Sequence, residues 1–81
     1  MKVQDLILDR SFDAACLMVK GETEWSDQIL KRLKANNKEY SDYIDEVFAF
    51  YVNAGTHNPD FINSRAEYML NNKNNLKLRF K

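Results

Sequence analysis

Apolar residues recur along this chain at the spacing of an α-helix. In residues 3–20, one helical face would carry Val3, Leu6, Ile7, Ala14, Leu17 and Met18. Arg10 lies in the middle of that face. The pattern therefore leaves two possibilities open: one continuous helix, or a break at residues 9–11 with Ser11 capping a second short helix.

The second and fourth apolar segments are shorter and also amphipathic. Residues 24–35 place Trp25, Ile29, Leu30 and Leu33 on one side. Residues 59–71 offer Phe61, Ile62, Ala66, Met69 and Leu70. Gly21 and Gly55 each follow a long apolar segment, where a helix end favours a residue that tolerates positive φ. Asn58-Pro59-Asp60 is typical of a helix start.

The third segment, residues 38–54, contains the apolar run VFAFYV at positions 47–52. Aromatic and β-branched residues favour a strand, but the rest of the chain offers no partner strands for a sheet. Helical spacing extends beyond the run and includes Tyr40, Tyr43, Ile44, Val47, Phe48, Phe50, Tyr51 and Ala54. A helix with so wide an apolar face is expected either to be the central helix of a bundle or to reserve part of that face for a partner.

These segments predict an all-α protein, a small bundle of four helices, or five if the first segment divides. Residues 1–71 would form one helical domain, and residues 72–81 a short polar and basic C-terminal tail. The net charge is zero, but the charges lie in blocks: residues 1–27 and 39–60 are acidic, whereas residues 28–38 and 61–81 are basic.

The acidic residues of the third segment form a strip. Glu39, Asp42 and Glu46 would share one helix face, opposite the aromatic residues. Because Asp42 and Glu46 repel each other at i, i+4, either the basic second helix or a basic partner should neutralise them. Carboxylates at this spacing can also hold a divalent cation, but a solvated helix face is the more common meaning of such a strip, and no metal site is predicted.

The sequence contains little that points to catalysis. His57, the only histidine, has no nucleophile with an orienting partner beside it, and Cys16, the only cysteine, lies among apolar residues that favour an unreactive thiol. Phosphate-binding glycine loops and the CxxC, HExxH and nucleophile-elbow motifs are absent from the sequence. We expect a protein that is not an enzyme and that uses no cofactor. We also expect a cytoplasmic protein without membrane insertion, because charged residues interrupt the apolar N-terminal segment and no apolar run approaches the length of about 18 residues that a membrane span needs.

The expected function is that of a small interaction protein, a regulator that inhibits or adapts a larger host or viral protein. Nine asparagines and eight lysines are typical of AT-rich coding sources such as many bacteriophages. The contact residues are expected to be Asp42, Tyr43, Glu46 and Phe50 on the third helix, and then Trp25, Lys31, Arg32 and Lys34 on the second.

A nucleic-acid-associated regulator is the alternative function. Its contacts would lie in the basic tail, at Lys73, Lys77, Arg79, Phe80 and Lys81. A helix-turn-helix made of the second and third segments is excluded, because its recognition helix would be the most acidic part of the chain and phosphate would repel it. Self-association into a homo-oligomer is compatible with both functions.

Overall fold

The computed structural model describes residues 2–75, and nearly all of them are helical. The helices are α1 (Val3–Val19), α2 (Thr23–Asn36), a single 3₁₀ turn (Lys38–Tyr40), α3 (Ser41–His57) and α4 (Asp60–Asn71). The predicted all-α bundle is confirmed, and the VFAFYV run lies inside α3. Within the described residues, no helix combines the length and the apolar character that a membrane span requires.

The central helix of the bundle is α1, which packs against α2, α3 and α4. Its buried residues are Ile7, Ser11, Asp13, Ala14, Ala15, Cys16 and Leu17. Most of these side chains are small, so neighbouring helices can approach α1 closely on several sides. Of the two roles expected for the third helix, the structure does not give it the central one, since α3 buries only Ile44 and Gly55. The helix α1 is also continuous, and Ser11 is buried within it instead of capping a second helix.

Three apolar clusters join the helices through α1. The first contains Ala14, Leu17, Trp25, Ile29 and Met69, from α1, α2 and α4. The second contains Ile7, Leu33 and Ile44, from α1, α2 and α3. The third contains Cys16, Ile62 and Ala66, from α1 and α4. Because burial of one large apolar side chain contributes about 1.5–3 kcal/mol, these clusters are the main source of stability for the bundle.

One ion pair is built into the contact between α1 and α4. The Asp13 side chain is fully buried. Arg65 donates to both of its carboxylate oxygens, from Nε to Oδ1 at 2.7 Å and from Nη2 to Oδ2 at 3.1 Å. This bidentate pairing compensates a charge that would otherwise be costly inside the core. The hydrogen bond to Asp13 raises the pKa of the Arg65 guanidinium above its ordinary value, so Arg65 stays charged.

The turn between α1 and α2 confirms the predicted role of Gly21. This residue has a φ of 90°, a conformation that glycine adopts at little cost. The Gly21 N–H donates to the carbonyl oxygen of Met18 at 3.1 Å, and the Glu22 N–H donates to that of Leu17 at 2.9 Å. Together these hydrogen bonds form a Schellman cap, which ends α1 and allows the chain to reverse into α2.

Gly55 does not end a helix, contrary to the prediction. The helix α3 continues to His57, and Gly55 is buried at the contact with α4. A Cβ atom at position 55 would lie 3.0 Å from Cδ1 of Ile62 and 3.1 Å from its Cγ2, which is closer than ordinary van der Waals contact. Gly55 is therefore favoured by the close approach of α3 and α4 and not by its backbone conformation, since a Cβ there would require the Ile62 side chain to shift by a few tenths of an ångström.

Removing the positive partner of Asp13 should destabilise the bundle strongly. Arg65→Gln leaves a buried carboxylate without a counter-charge, which costs about 3 kcal/mol out of the roughly 4–12 kcal/mol typical of a chain this long. Asp13→Asn should cost less, because the Arg65 side chain is 35% exposed and water can solvate it. Urea unfolding followed by circular dichroism measures both changes.

The matched control for Arg65→Gln is Arg32→Gln, which removes a guanidinium from the exposed side of α2. It should change the free energy of unfolding by less than about 0.5 kcal/mol. Equal losses in the two variants would contradict a stabilising role specific to the Asp13–Arg65 pair.

Gly55→Ala tests the close contact between α3 and α4. Alanine favours a helix by about 1 kcal/mol over glycine, but its Cβ would push into the buried Ile62 side chain, and overpacking costs about 1–3 kcal/mol. We expect a net destabilisation of about 1 kcal/mol in thermal unfolding. Asn53→Ala, at an exposed site on the same helix, should be neutral or stabilising. Stabilisation by Gly55→Ala would mean that Ile62 moves aside without cost.

Candidate interaction surface

The exposed side of α3 combines aromatic and acidic side chains. Asp42, Tyr43, Glu46 and Phe50 are all exposed, and helical spacing places them within an arc of about 100°. We call these residues the α3 face. The sequence pattern predicted that Asp42 and Glu46 would lie opposite the aromatic residues. In the structure only part of the wide apolar stripe is buried: Ile44 packs against α1, whereas Tyr43 and Phe50 are 36% and 66% exposed and share the outer side of α3 with the two carboxylates.

Four aromatic rings from three helices meet beside the α3 face. The ring centroids of Phe12 and Tyr51 are 5.1 Å apart, and those of Phe12 and Phe61 are 5.4 Å apart. Tyr51 also contacts Phe50 at 5.7 Å and Phe61 at 6.2 Å. We call Phe12, Phe50, Tyr51 and Phe61 the aromatic cluster. It shares Phe50 with the α3 face, so the two form one continuous surface.

Sequence reasoning missed this cluster as a surface feature. It assigned Phe61 to the apolar face of the fourth helix, yet the structure leaves Phe61 46% exposed. Phe12 lies outside the apolar face of residues 3–20, and that position is the one signal the sequence contained. A large aromatic residue on the polar side of an amphipathic helix indicates a contact beyond the helix's own core.

The acidic residues of α3 differ in their partners. Lys34 of α2 forms an ion pair with Asp45, so the basic second helix neutralises an acidic residue of α3 that lies outside the strip of Glu39, Asp42 and Glu46. No ion pair within the described residues involves Asp42 or Glu46. Among residues 2–75, the α3 face therefore presents two carboxylates that have no ion-pair partner.

The second set of predicted contact residues, on α2, differs in exposure to solvent. Trp25 is 1% exposed and belongs to the largest apolar cluster, so it cannot contact a partner while the bundle is folded. Its indole fills the space between α1, α2 and α4. An amphipathic pattern marks Trp25 as apolar but does not say whether the side chain is buried in the core or exposed to a partner. Lys31 and Arg32 are exposed, whereas Lys34 is half-buried and paired with Asp45.

The basic tail is only partly within the described residues. Lys73 lies inside them and forms an ion pair with Glu22, with Nζ and Oε1 3.1 Å apart. Lys77, Arg79, Phe80 and Lys81, the other residues of the predicted nucleic-acid contact, lie outside the described residues. The one described residue of that set is thus engaged with the turn between α1 and α2.

Cys16 and His57 occupy very different environments. Cys16 is fully buried, and burial, together with the nearby Asp13 charge, raises the pKa of its thiol from 9.0 to about 12. His57 is exposed near the end of α3, and its Nδ1 donates to the carbonyl oxygen of Asn53 at 2.9 Å. Among the described residues, no group of three or more His, Cys, Asp or Glu side chains is arranged to hold a metal ion.

Cys16 should resist alkylation in the folded protein. Its thiol is enclosed and stays protonated up to alkaline pH, because its pKa is raised to about 12, and the thiolate is the reactive species. Iodoacetamide labelling followed by mass spectrometry should show little reaction between pH 7 and 9 and full reaction in urea. A Cys16→Ala/Ala49→Cys variant supplies an exposed control thiol on α3 that should react readily. Equal labelling rates would contradict the protection of Cys16.

No protein-family model matches the chain, and neither a curated protein nor a solved structure matches it. Similarity to known proteins therefore assigns no function to this arrangement of helices. Function has to follow from the side chains that the bundle exposes, chiefly the α3 face and the aromatic cluster.

Proposed function

We propose that this protein is a small, non-enzymatic binding module that docks on a larger host or viral protein and modulates it, as an inhibitor or an adaptor. The docking surface consists of the α3 face and the aromatic cluster. The observation that supports this most is the exposure of Phe50 and Phe61, at 66% and 46%, within a set of rings that already contact one another.

The aromatic cluster is suited to supply binding energy. Phe50 and Phe61 offer large apolar areas that a partner would remove from water. Both rings already contact another ring, Phe50 at Tyr51 and Phe61 at Phe12, and such contacts would lower the side-chain entropy that docking costs. Buried aromatic anchors of this kind account for most of the free energy of many protein interfaces.

The unpaired carboxylates specify the chemistry of the partner. Asp42 and Glu46 flank Tyr43 and Phe50 on the α3 face, and each would be stabilised by a cation on the opposing surface. The partner is therefore a protein that presents an apolar pocket for Phe50 with lysine or arginine at its rim. Attraction between the two surfaces would speed association and set the orientation of docking.

Variants of the α3 face test this function. Partners are captured from the native host cell with the tagged protein, and the purified pair is then measured by surface plasmon resonance. Phe50→Ala should weaken binding by about 2 kcal/mol, mainly through faster dissociation, because it removes an anchor. The double charge reversal Asp42→Lys/Glu46→Lys should lower the association rate about tenfold, and added salt should then speed association instead of slowing it, because the new lysines repel the basic rim of the partner.

Lys20→Gln is the matched control, since Lys20 is exposed at the end of α1 and lies outside both the docking surface and the predicted contact residues of α2. It should leave both rate constants close to those of the wild type. A captured protein that binds Phe50→Ala and the double charge reversal as tightly as the wild type would show that the α3 face is not the docking surface.

A further inference from the structure

A cavity of about 210 Å³ opens between α1 and α2. Its apolar lining is Leu6, Ile29 and Leu33, and its polar lining is Arg10, Arg32, Asn36 and Asn37. Two arginines from different helices thus line a cavity whose wall also contains apolar side chains. None of these residues belongs to the α3 face or to the aromatic cluster.

The position of Arg10 agrees with a binding role for this cavity. Arg10 follows the buried Ile7 by three residues and precedes the buried Ala14 by four, so it occupies a core-facing position of a continuous helix. An apolar side chain there would extend the core. Arginine instead brings a guanidinium to the edge of the core, where it pairs with Asp9 at 2.8 Å and lines the cavity.

Arg32 lines the cavity from α2. It is exposed, and no ion pair within the described residues involves it. The nearby C-terminal end of α2 would disfavour an anion through its carbonyl groups, but Asn37 already donates to two of them. Its side-chain Nδ2 donates to the carbonyl oxygen of Leu33 at 2.9 Å, and its backbone N–H donates to the carbonyl oxygen of Lys34 at 3.2 Å.

We propose that this cavity binds a small carboxylate that carries a compact apolar body, either a free acid or the C-terminal residue of a peptide. A guanidinium presents paired donors that fit a carboxylate, and Leu6, Ile29 and Leu33 receive the apolar body. The volume is below that of typical drug-sized sites, at about 300–1,000 Å³. It suits a group of the size of one leucine side chain with its carboxylate.

Titration of the ¹⁵N-labelled full chain tests this site by NMR. N-acetyl-leucine should shift the amide resonances of the residues lining the cavity in a saturable way, with a dissociation constant in the millimolar range. N-acetyl-leucinamide keeps the apolar body without the charge, and acetate keeps the charge without the body. Each should bind about tenfold more weakly than N-acetyl-leucine.

Two neighbouring residues of α2 provide the matched variants. Arg32→Gln should weaken the binding of N-acetyl-leucine about tenfold, whereas Lys31→Gln, which removes an equal charge outside the cavity, should leave it unchanged. Thermal unfolding confirms that both variants remain folded. Equal weakening in the two variants, equal binding to Arg32→Gln and wild type, or shifts that do not saturate would overturn the proposal.

Two further ligands distinguish the sources of the carboxylate. A free small acid is represented by 4-methylpentanoate, and a peptide terminus by an N-acetylated Gly-Gly-Leu with a free carboxylate. Tighter binding of the tripeptide supports a peptide terminus, and equal or tighter binding of 4-methylpentanoate supports a free acid. Failure of both ligands to bind overturns the site while leaving the docking surface on α3 unaffected.

Discussion

The packing of three helices around α1 decides which side chains of this protein reach solvent. The middle of α1 is enclosed and consists largely of small residues: Ser11, Ala14, Ala15 and Cys16. Small side chains let the neighbouring helices approach closely, and larger side chains of α2, α3 and α4 then fill the space between the helix axes. As a result α3 has one side against α1 and the other in water. Its exposed side is therefore available for binding.

The buried carboxylate of Asp13, together with the apolar contacts of Ile62, Ala66 and Met69, fixes the side of α4 that faces the bundle. Because Arg65 must face α1 to pair with Asp13, helical spacing brings Phe61 and Tyr68 to the same side of α4. Phe61 then meets Phe12 at 5.4 Å, and the Arg65 guanidinium lies 5.2 Å from the centroid of the Tyr68 ring. A buried ion pair contributes little net stability, but its geometry is directional, and here it is consistent with the rotation of α4 that brings Phe61 beside Phe12.

The charge blocks of the chain are redistributed by folding. Lys34 and Asp45 neutralise each other between α2 and α3, whereas Asp42, Glu46 and Arg32 have no ion pair within the described residues. The molecule thus offers an acidic and aromatic surface on α3 and an arginine-lined cavity between α1 and α2. A net charge of zero is therefore compatible with two surfaces that favour ligands of opposite sign.

Helical periodicity and glycine capping are local properties, so the sequence by itself determined the all-α class, the four helical segments and the turn at Gly21. It did not determine the centre of the bundle, because the width of an apolar stripe does not say how much of it will be covered, and small residues such as those of α1 give a weak hydrophobic signal. Only the tertiary structure decided the contacts between distant residues: Asp13 with Arg65, Gly55 with Ile62, and Phe12 with Phe61. These contacts depend on how the helices are placed relative to one another, and no local pattern along the chain encodes that placement.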